Sequence, residues 1–215
     1  MFSLVIPLYN ESRNIKFLLD EIVSNLINYK NYEIILVNDA STDDTSHVIN
    51  SLSLNNIKII TNKENKGQSF SILEGIKNSS HNIIVTLDGD GQNDPADILK
   101  LYKLYSFHKD VKLVGGIRRN RKDNYTKIIS SKIANFIRSR ILRDECEDTG
   151  CALKVFDKTI FLSFPFFDGV HRFLPALFRG YGYKTLFVDV HHRKRNYGSS
   201  KYGTMNRLFA GIRDI

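Results

Sequence analysis

Two carboxylates stand one residue apart in Leu87-Asp88-Gly89-Asp90-Gly91-Gln92, directly behind an apolar run from Ile83 to Leu87. Oxygen donors at this spacing suit a hard divalent cation, and Mg²⁺ commonly shares one or two carboxylates with substrate phosphates. Gly89 and Gly91 allow a sharp turn at the end of a buried strand. Asp88 and Asp90 then fall at the carboxyl edge of a sheet, where open α/β folds bind ligands. An isolated Asp-x-Asp is more often a solvated acidic turn, so the rest of the chain has to decide. Two earlier apolar runs also end in polar clusters: Phe2–Leu8 in Tyr9-Asn10-Glu11, and Tyr32–Val37 in Asn38-Asp39-Ala40-Ser41. If these strands are parallel, Asp39 joins Asp88 and Asp90 at one crevice, as a nucleotide plus a metal would require.

The elements that must position these residues follow from hydrophobic periodicity. Apolar runs predict strands over 2–8, 32–37, 57–61, 82–87 and 111–116. Between them lie four helices. The first covers 13–28, capped by Ser12 or Asn10, with Ile15, Leu18, Leu19, Ile22, Val23 and Leu26 on one face. The second opens at Thr42-Asp43-Asp44, with acids in its first turn. The third follows Asn65-Lys66-Gly67-Gln68-Ser69 to about 78, and the fourth runs from Pro95 to about 107. This alternation predicts an α/β fold, a mostly parallel sheet flanked by helices on both faces. The second half reads as an amphipathic basic helix over 124–143, a strand over 152–156, a short helix over 170–179 and a strand over 184–190. A basic amphipathic tail covers 205–213.

Length and composition bound the class. At 215 residues, one domain with a sizeable core is expected. No apolar run reaches the roughly 18 residues that a membrane span needs, and the N-terminus lacks the pattern of a signal peptide. Cys146 and Cys151 are too few and wrongly spaced for a zinc site or a disulfide framework, so free thiols in a reducing cytoplasm are expected. Residues 1–100 carry 8 Lys+Arg against 13 Asp+Glu, a net −5; residues 101–215 carry 23 against 10, a net +13. The basic half suits phosphates, an anionic membrane surface or nucleic acid. Nucleic acid is the least favoured of these, because an Asp-rich crevice repels polyanions unless metal is present. Neither Gly-x-Gly-x-x-Gly nor the Gly-x-x-x-x-Gly-Lys-Ser/Thr loop occurs, which counts against a dinucleotide cofactor and a P-loop.

Six pieces in order carry a resemblance: Val5-Ile6-Pro7-Leu8-Tyr9-Asn10-Glu11, Val37-Asn38-Asp39-Ala40-Ser41-Thr42-Asp43, Asn65-Lys66-Gly67, Leu87-Asp88-Gly89-Asp90-Gly91-Gln92, Asp148-Thr149-Gly150-Cys151 and Arg193-x-x-x-x-Gly198-x-Ser200-Lys201-Tyr202. Together they resemble family 2 glycosyltransferases of the GT-A fold, in particular the polyprenyl-phosphate, dolichol-phosphate mannosyltransferase-like branch. The resemblance covers nearly the whole chain and implies a nucleotide-sugar-binding half, 1–116, and an acceptor- and membrane-facing half, 117–215. It implies that Pro7, Tyr9, Asn10 and Glu11 line the nucleotide pocket with Lys66 and Gly67. Asp39 would accept a hydrogen bond from the base, and Asp88 would contact the ribose and sugar region. Asp88, Asp90 and Gln92 would hold Mg²⁺ or Mn²⁺ on the diphosphate. Arg118 would neutralise phosphate, and Arg193, Ser200 and Lys201 would close on the donor or grip the acceptor phosphate. Asn38 departs from the pattern, because many members carry a second Asp there. The donor stays open between GDP-mannose and UDP-glucose types.

The reaction implied is an inverting transfer of a hexose to polyprenyl phosphate, by an enzyme sitting peripherally on the inner face of the membrane, with a membrane-protein partner possible. A lipid monophosphate is already ionised near neutral pH, its second pKa being about 6, and needs cations rather than a general base. Arg118, Arg119, Arg121, Lys122, Arg193 and Lys201 can supply them. A sugar hydroxyl acceptor would need a base instead. Asp148 is the candidate, and its type leaves it open between a base and a residue that fixes its loop. His171, His191 and His192 read as structural or surface residues, since no second ligand stands at metal-site spacing.

Overall fold

The structure is a computed structural model, and it describes residues 1–52, 56–119, 145–195 and 197. Its seven strands are β1 (Phe2–Leu8), β2 (Tyr32–Asn38), β3 (Ile57–Thr61), β4 (Ile83–Thr86), β5 (Val111–Arg118), β6 (Lys154–Asp157) and β7 (Lys184–Val190). They form one sheet in the order β3-β2-β1-β4-β6-β5-β7. All neighbours pair in parallel except β6, which runs antiparallel to both β4 and β5.

Both faces of the sheet are apolar, which is why the strands read as continuous apolar runs. Phe2, Leu4, Ile6 and Leu8 of β1, with Ile34 and Leu36 of β2, enter one core, while Val5, Ile35 and Val37 enter the other. Helices α1 (Ser12–Asn25), α2 (Thr45–Asn50) and α4 (Asp97–Phe107) cover the first face. Helices α3 (Gln68–Lys77), α5 (Lys158–Ser163) and α6 (Val170–Gly180) cover the second. Helix α3 lies so close to β1 that a Cβ on Gly75 would meet Val5 Cγ1 at 2.4 Å. That close approach seats α3 directly on β1 and β2, and Gln68 at its start reaches Asp88 beyond β4.

The first half follows the expected alternation, with shifts at the helix starts. Helix α1 takes Glu11 as its N-cap without a side-chain hydrogen bond. Ser12 is spent elsewhere, its Oγ donating to Asp43 Oδ2 at 2.7 Å. Asn10 serves the next turn, its Oδ1 accepting the Thr42 N–H at 2.8 Å. Helix α2 begins only at Thr45, because Asp43 folds back to accept the Thr45 N–H at 2.9 Å. Helix α4 begins at Asp97 rather than Pro95, and the Asp94 carboxylate accepts the Ala96 N–H just before it at 3.0 Å.

The second half departs further. Glu147 and Asp148 meet Arg119 and Arg118 at the end of β5, so β6 descends from that edge and pairs antiparallel between β4 and β5. Helix α5, which periodicity over six residues cannot reveal, is capped by Asp157, whose Oδ1 accepts the Thr159 and Ile160 N–H groups at 2.8 and 3.1 Å. The amphipathic segment 124–143, the cations Arg121 and Lys122, the tail 205–213, and Ser200 and Lys201 lie outside the described residues. Among the described residues, no helix is long and apolar enough to cross a membrane.

Candidate active site at the carboxyl edge of the sheet

Strands β1, β2 and β4 are parallel, so their carboxyl ends share one edge. Asn10, Asp39 and Asp88 follow directly from those ends. Two non-glycine residues there hold left-handed backbone, Asn10 at φ 55° and Ala40 at φ 53°. Such conformations cost of order 1 kcal/mol or more and concentrate at functional sites.

Asp39 is 3% exposed, and its carboxylate accepts three N–H groups. Asn62 Nδ2 and the Lys66 backbone bind Oδ1 at 2.7 and 3.0 Å, and the Gly67 backbone binds Oδ2 at 2.8 Å. Lys66 and Gly67 therefore reach the crevice as backbone donors to Asp39, and the Lys66 ammonium points elsewhere, over the Phe70 ring at 4.8 Å. Asn38 is buried and ties its own turn, donating to Ser46 Oγ at 2.7 Å and accepting the Ser41 N–H at 3.1 Å.

Asp88 and Asp90 emerge from β4 as the spacing predicts. Between them, Gly89 presses against the end of β1: a Cβ there would meet Leu8 Cδ2 at 2.3 Å and the Pro7 carbonyl oxygen at 3.4 Å. Only glycine permits that approach. Asp88 accepts from Gln68 Nε2 at 2.8 Å. Burial first, and then the Asp90 carboxylate, push its pKa up to about 7. Asp90 Oδ1 accepts the Gln92 N–H at 3.1 Å.

A small cavity of about 20 Å³, room for one water, lies beneath Asp88 and is lined by Pro7, Gln68, Thr86, Lys154 and His171 among others. Lys154 is 4% exposed and donates to the Thr149 and Cys151 carbonyls; burial lowers its pKa. His171 faces Ser69 Oγ through Nδ1 at 2.7 Å. That oxygen also accepts the Gly169 N–H at 2.8 Å. Burial, with Arg172 and Lys154 nearby, pushes the His171 pKa down to about 3, so the ring stays neutral.

Arg118 and Asp148 meet each other. The guanidinium donates Nε to Oδ2 and Nη2 to Oδ1, both at 2.7 Å, and the Arg118 backbone N–H adds a third bond at 3.1 Å. The pair joins the end of β5 to the turn before β6. Burial opposes the charge, but Asp148 holds the Arg118 guanidinium well above its usual pKa. The two carboxylate oxygens of Asp148 are thus engaged by a fork, which suits a residue that fixes its loop.

After β7 the chain crosses the edge as a strap. Asp97 accepts the His191 N–H at 2.7 Å, Asn93 bridges His192, and the Gln92 carbonyl accepts the Arg193 N–H at 2.8 Å. Gln92 Nε2 donates to the Arg193 carbonyl at 3.3 Å, so its amide oxygen is what it can offer a cation. The motif spacing points to Arg193, but Arg193 pairs outside the crevice with Glu21 at 2.8 Å and Asp94 at 2.6 Å. Arg195, which spacing did not single out, reaches the acids instead. Its Nη2 lies 2.5 Å from Glu11 Oε1, and its Nη1 3.8 Å from Asp90 Oδ2. Alternation along an extended strap could not have found it, because residues two apart project to the same side.

Among the described residues, no three His, Cys, Asp or Glu side chains gather as a complete metal cage. Two carboxylates one residue apart, Asp88 with its pKa raised by burial and then by Asp90, nonetheless fit a divalent cation whose remaining ligands are phosphate oxygens and water.

Residues 3–164 match the profile described as "Glycosyl transferase family 2". This chain belongs to that family. Among its relatives, the dodecaprenyl-phosphate galacturonate synthase of Rhizobium johnstonii is 32% identical over 99% of this chain and 64% of that protein. The undecaprenyl-phosphate 4-deoxy-4-formamido-L-arabinose transferase of Shewanella sediminis is 32% identical over 96% of this chain and 63% of that protein. The chain thus spans a little under two thirds of these curated relatives. Among solved structures, glucosyl-3-phosphoglycerate synthase from Mycobacterium tuberculosis, in complex with Mn²⁺, UDP and phosphoglyceric acid, superposes with a TM-score of 0.71. It covers 100% of this chain and 78% of that one at 19% identity, a likeness of fold.

Proposed function

We propose that this chain transfers a sugar from a nucleoside-diphosphate sugar to a polyprenyl phosphate at the cytoplasmic face of a membrane. The observation that carries this reading is the Asp88–Asp90 pair at the end of β4, set beside Arg195 and facing the Asp39 turn. The names of the family 2 relatives support the lipid phosphate acceptor. Those names also mention galacturonate and a formamido-arabinose, so the donor choice extends beyond the GDP-mannose and UDP-glucose types.

Departure of a nucleoside diphosphate places negative charge on the leaving oxygen, and the site must stabilise it. Asp88 and Asp90, with the Gln92 amide oxygen, would hold Mg²⁺ or Mn²⁺, which supplies electrostatic stabilisation of the diphosphate. Arg195 adds a cation from the strap, already seated between Glu11 and Asp90. Pro7, Tyr9, Asn10 and Glu11 border the nucleotide side, and Asp39 holds the turn that closes it. The attacking group is an ionised phosphate oxygen, which forms the new bond at the anomeric carbon as the diphosphate oxygen leaves with the electron pair.

A sugar hydroxyl acceptor would need a base, whereas an ionised phosphate does not. Asp148, the candidate for that role, gives both oxygens to Arg118. The test is transfer from labelled nucleotide sugars to polyprenyl phosphate with Mg²⁺ or Mn²⁺ present. Asp90→Asn should lower turnover by a factor on the order of 100 or more; turnover within twofold of wild type would overturn the assignment.

A further inference from the structure

Large apolar side chains are exposed together in one segment beside the site. Leu162, Phe166 and Phe167 are 40%, 47% and 38% exposed. They belong to Phe161-Leu162-Ser163-Phe164-Pro165-Phe166-Phe167, the stretch joining the end of α5 to α6. An apolar groove of about 210 Å³ runs beneath it, lined by Leu73, Phe161, Pro165 and Val170 among others. Scattered apolar residues on a surface need no explanation, but a contiguous aromatic patch marks an interaction face.

The patch is fastened to the site. Gly169, two residues after Phe167, donates its N–H to Ser69 Oγ at 2.8 Å, and Ser69 lies in the first turn of α3. Asp168 Oδ1 comes within 4.0 Å of where a Gly67 side chain would begin, and Gly67 is a backbone donor to Asp39. Phe166 meets Phe70 edge to face at 6.4 Å, and Phe167 meets Phe173 at 5.7 Å. The rings are thus held in place rather than folded into the core.

Cations border them. The Lys66 ammonium stands over Phe70, Lys63 is exposed on the same turn, and Arg172 follows in α6. Glu64 and Asp168 offset part of this charge, and Lys66 pairs with Glu64 at 3.7 Å, so the rim is mildly basic. Aromatic rings flanked by lysine and arginine are the composition of surfaces that sit at the headgroup level of a bilayer.

We infer that Phe166 and Phe167 insert into a lipid bilayer and seat the carboxyl edge of the sheet against its headgroups. This rests on the proposed lipid phosphate acceptor, whose phosphate lies at headgroup depth and has to meet the Asp88–Asp90 crevice. A bilayer fits the rim better than a protein partner does: the exposed rings are aromatic, and the cations beside them match anionic headgroups. Each ring inserts about half its surface, and mildly basic neighbours add a modest electrostatic share. Binding should therefore be reversible and stronger on anionic vesicles.

The chain contains no tryptophan, so one introduced indole reports alone. The probes are vesicles of phosphatidylcholine with and without phosphatidylglycerol, added to the full chain. Phe166→Trp should show a blue shift and quenching by brominated lipid. Phe107→Trp, at an 80% exposed position at the far end of α4, should show neither. Phe166→Ser with Phe167→Ser should weaken vesicle co-sedimentation at least tenfold. That variant loses the ring contacts with Phe70 and Phe173 and should melt somewhat earlier, but it should keep one cooperative transition and the shift caused by nucleotide sugar, which shows that it folds. No fluorescence change at Phe166→Trp, or undiminished sedimentation of the double variant, would overturn the inference. The two readings separate cleanly. If wild type binds vesicles through these rings yet transfers no sugar to any polyprenyl phosphate, the proposed reaction falls and the docking face stands. If transfer proceeds and the rings stay in water, the reverse holds.

Discussion

Asp88→Asn separates the demands of the site from those of the fold. In the metal-free chain, burial and the Asp90 carboxylate raise the Asp88 pKa to about 7, against 3.8 for an ordinary aspartate. The folded state therefore keeps a proton that the unfolded state has already released. Stability contributed by this group declines as pH rises from about 4 through 7, and levels off above. Three pKa units correspond to about 4 kcal/mol, and the side chain's partial access to water reduces this to about 2–4 kcal/mol at pH 8. An uncharged isostere removes the cost while keeping the shape that Gln68 binds. The assay is urea denaturation in EDTA at pH 5 and pH 8, comparing wild type with the variant. The variant's advantage should grow by about 2 kcal/mol between the two pH values, since most of the linkage falls in that window. Other titrating groups change both proteins alike and cancel. A constant difference at the two pH values would refute the reasoning, because it would mean that Asp88 is ionised in the folded chain throughout. The same variant, more stable, should fail to gain stability when Mn²⁺ and a nucleoside diphosphate replace EDTA.

Two further outcomes follow from buried groups outside the acid pair. Arg118→Met takes the guanidinium fork from the buried Asp148 carboxylate and should cost about 3–5 kcal/mol by urea denaturation, whereas adding Asp148→Leu should recover most of it; a single-variant cost below about 1 kcal/mol would contradict a structural role for the fork. His171 is held neutral with its pKa down at about 3, so the unfolded chain takes up a proton first as pH falls below 6.5. Wild type should lose up to about 1.4 kcal/mol per pH unit from pH 6.5 towards 4 at this group; His171→Gln should flatten that slope, and parallel pH profiles for the two proteins would exclude the effect.

The first half of the fold was legible because its central strands β1, β2 and β4 bury both faces. Val5 and its neighbours Leu4 and Ile6 enter opposite cores, so β1 shows as an unbroken apolar run, and the polar cluster after it marks the edge. The Asp88–Asp90 turn and the Asp39 turn were visible for the same reason. What the sequence hides is which partner a charged side chain finds across the fold. Asp148 and Arg118 lie 30 residues apart, and nothing local distinguishes a base from a carboxylate held in a guanidinium fork. Periodicity also misses short or descending elements: α5 spans six residues, and β6 offers four whose direction depends on where the preceding chain returns. The strap makes the point most sharply. Arg193 and Arg195 are two residues apart in a basic run, and composition alone cannot rank them. The Gln92 carbonyl bonding the Arg193 N–H fixes the register of the strap, and that register sends Arg193 to Glu21 and Asp94 while Arg195 reaches Glu11 and Asp90. The choice of cation for the crevice is thus made by a main-chain bond, one that any residue at 193 other than proline could donate.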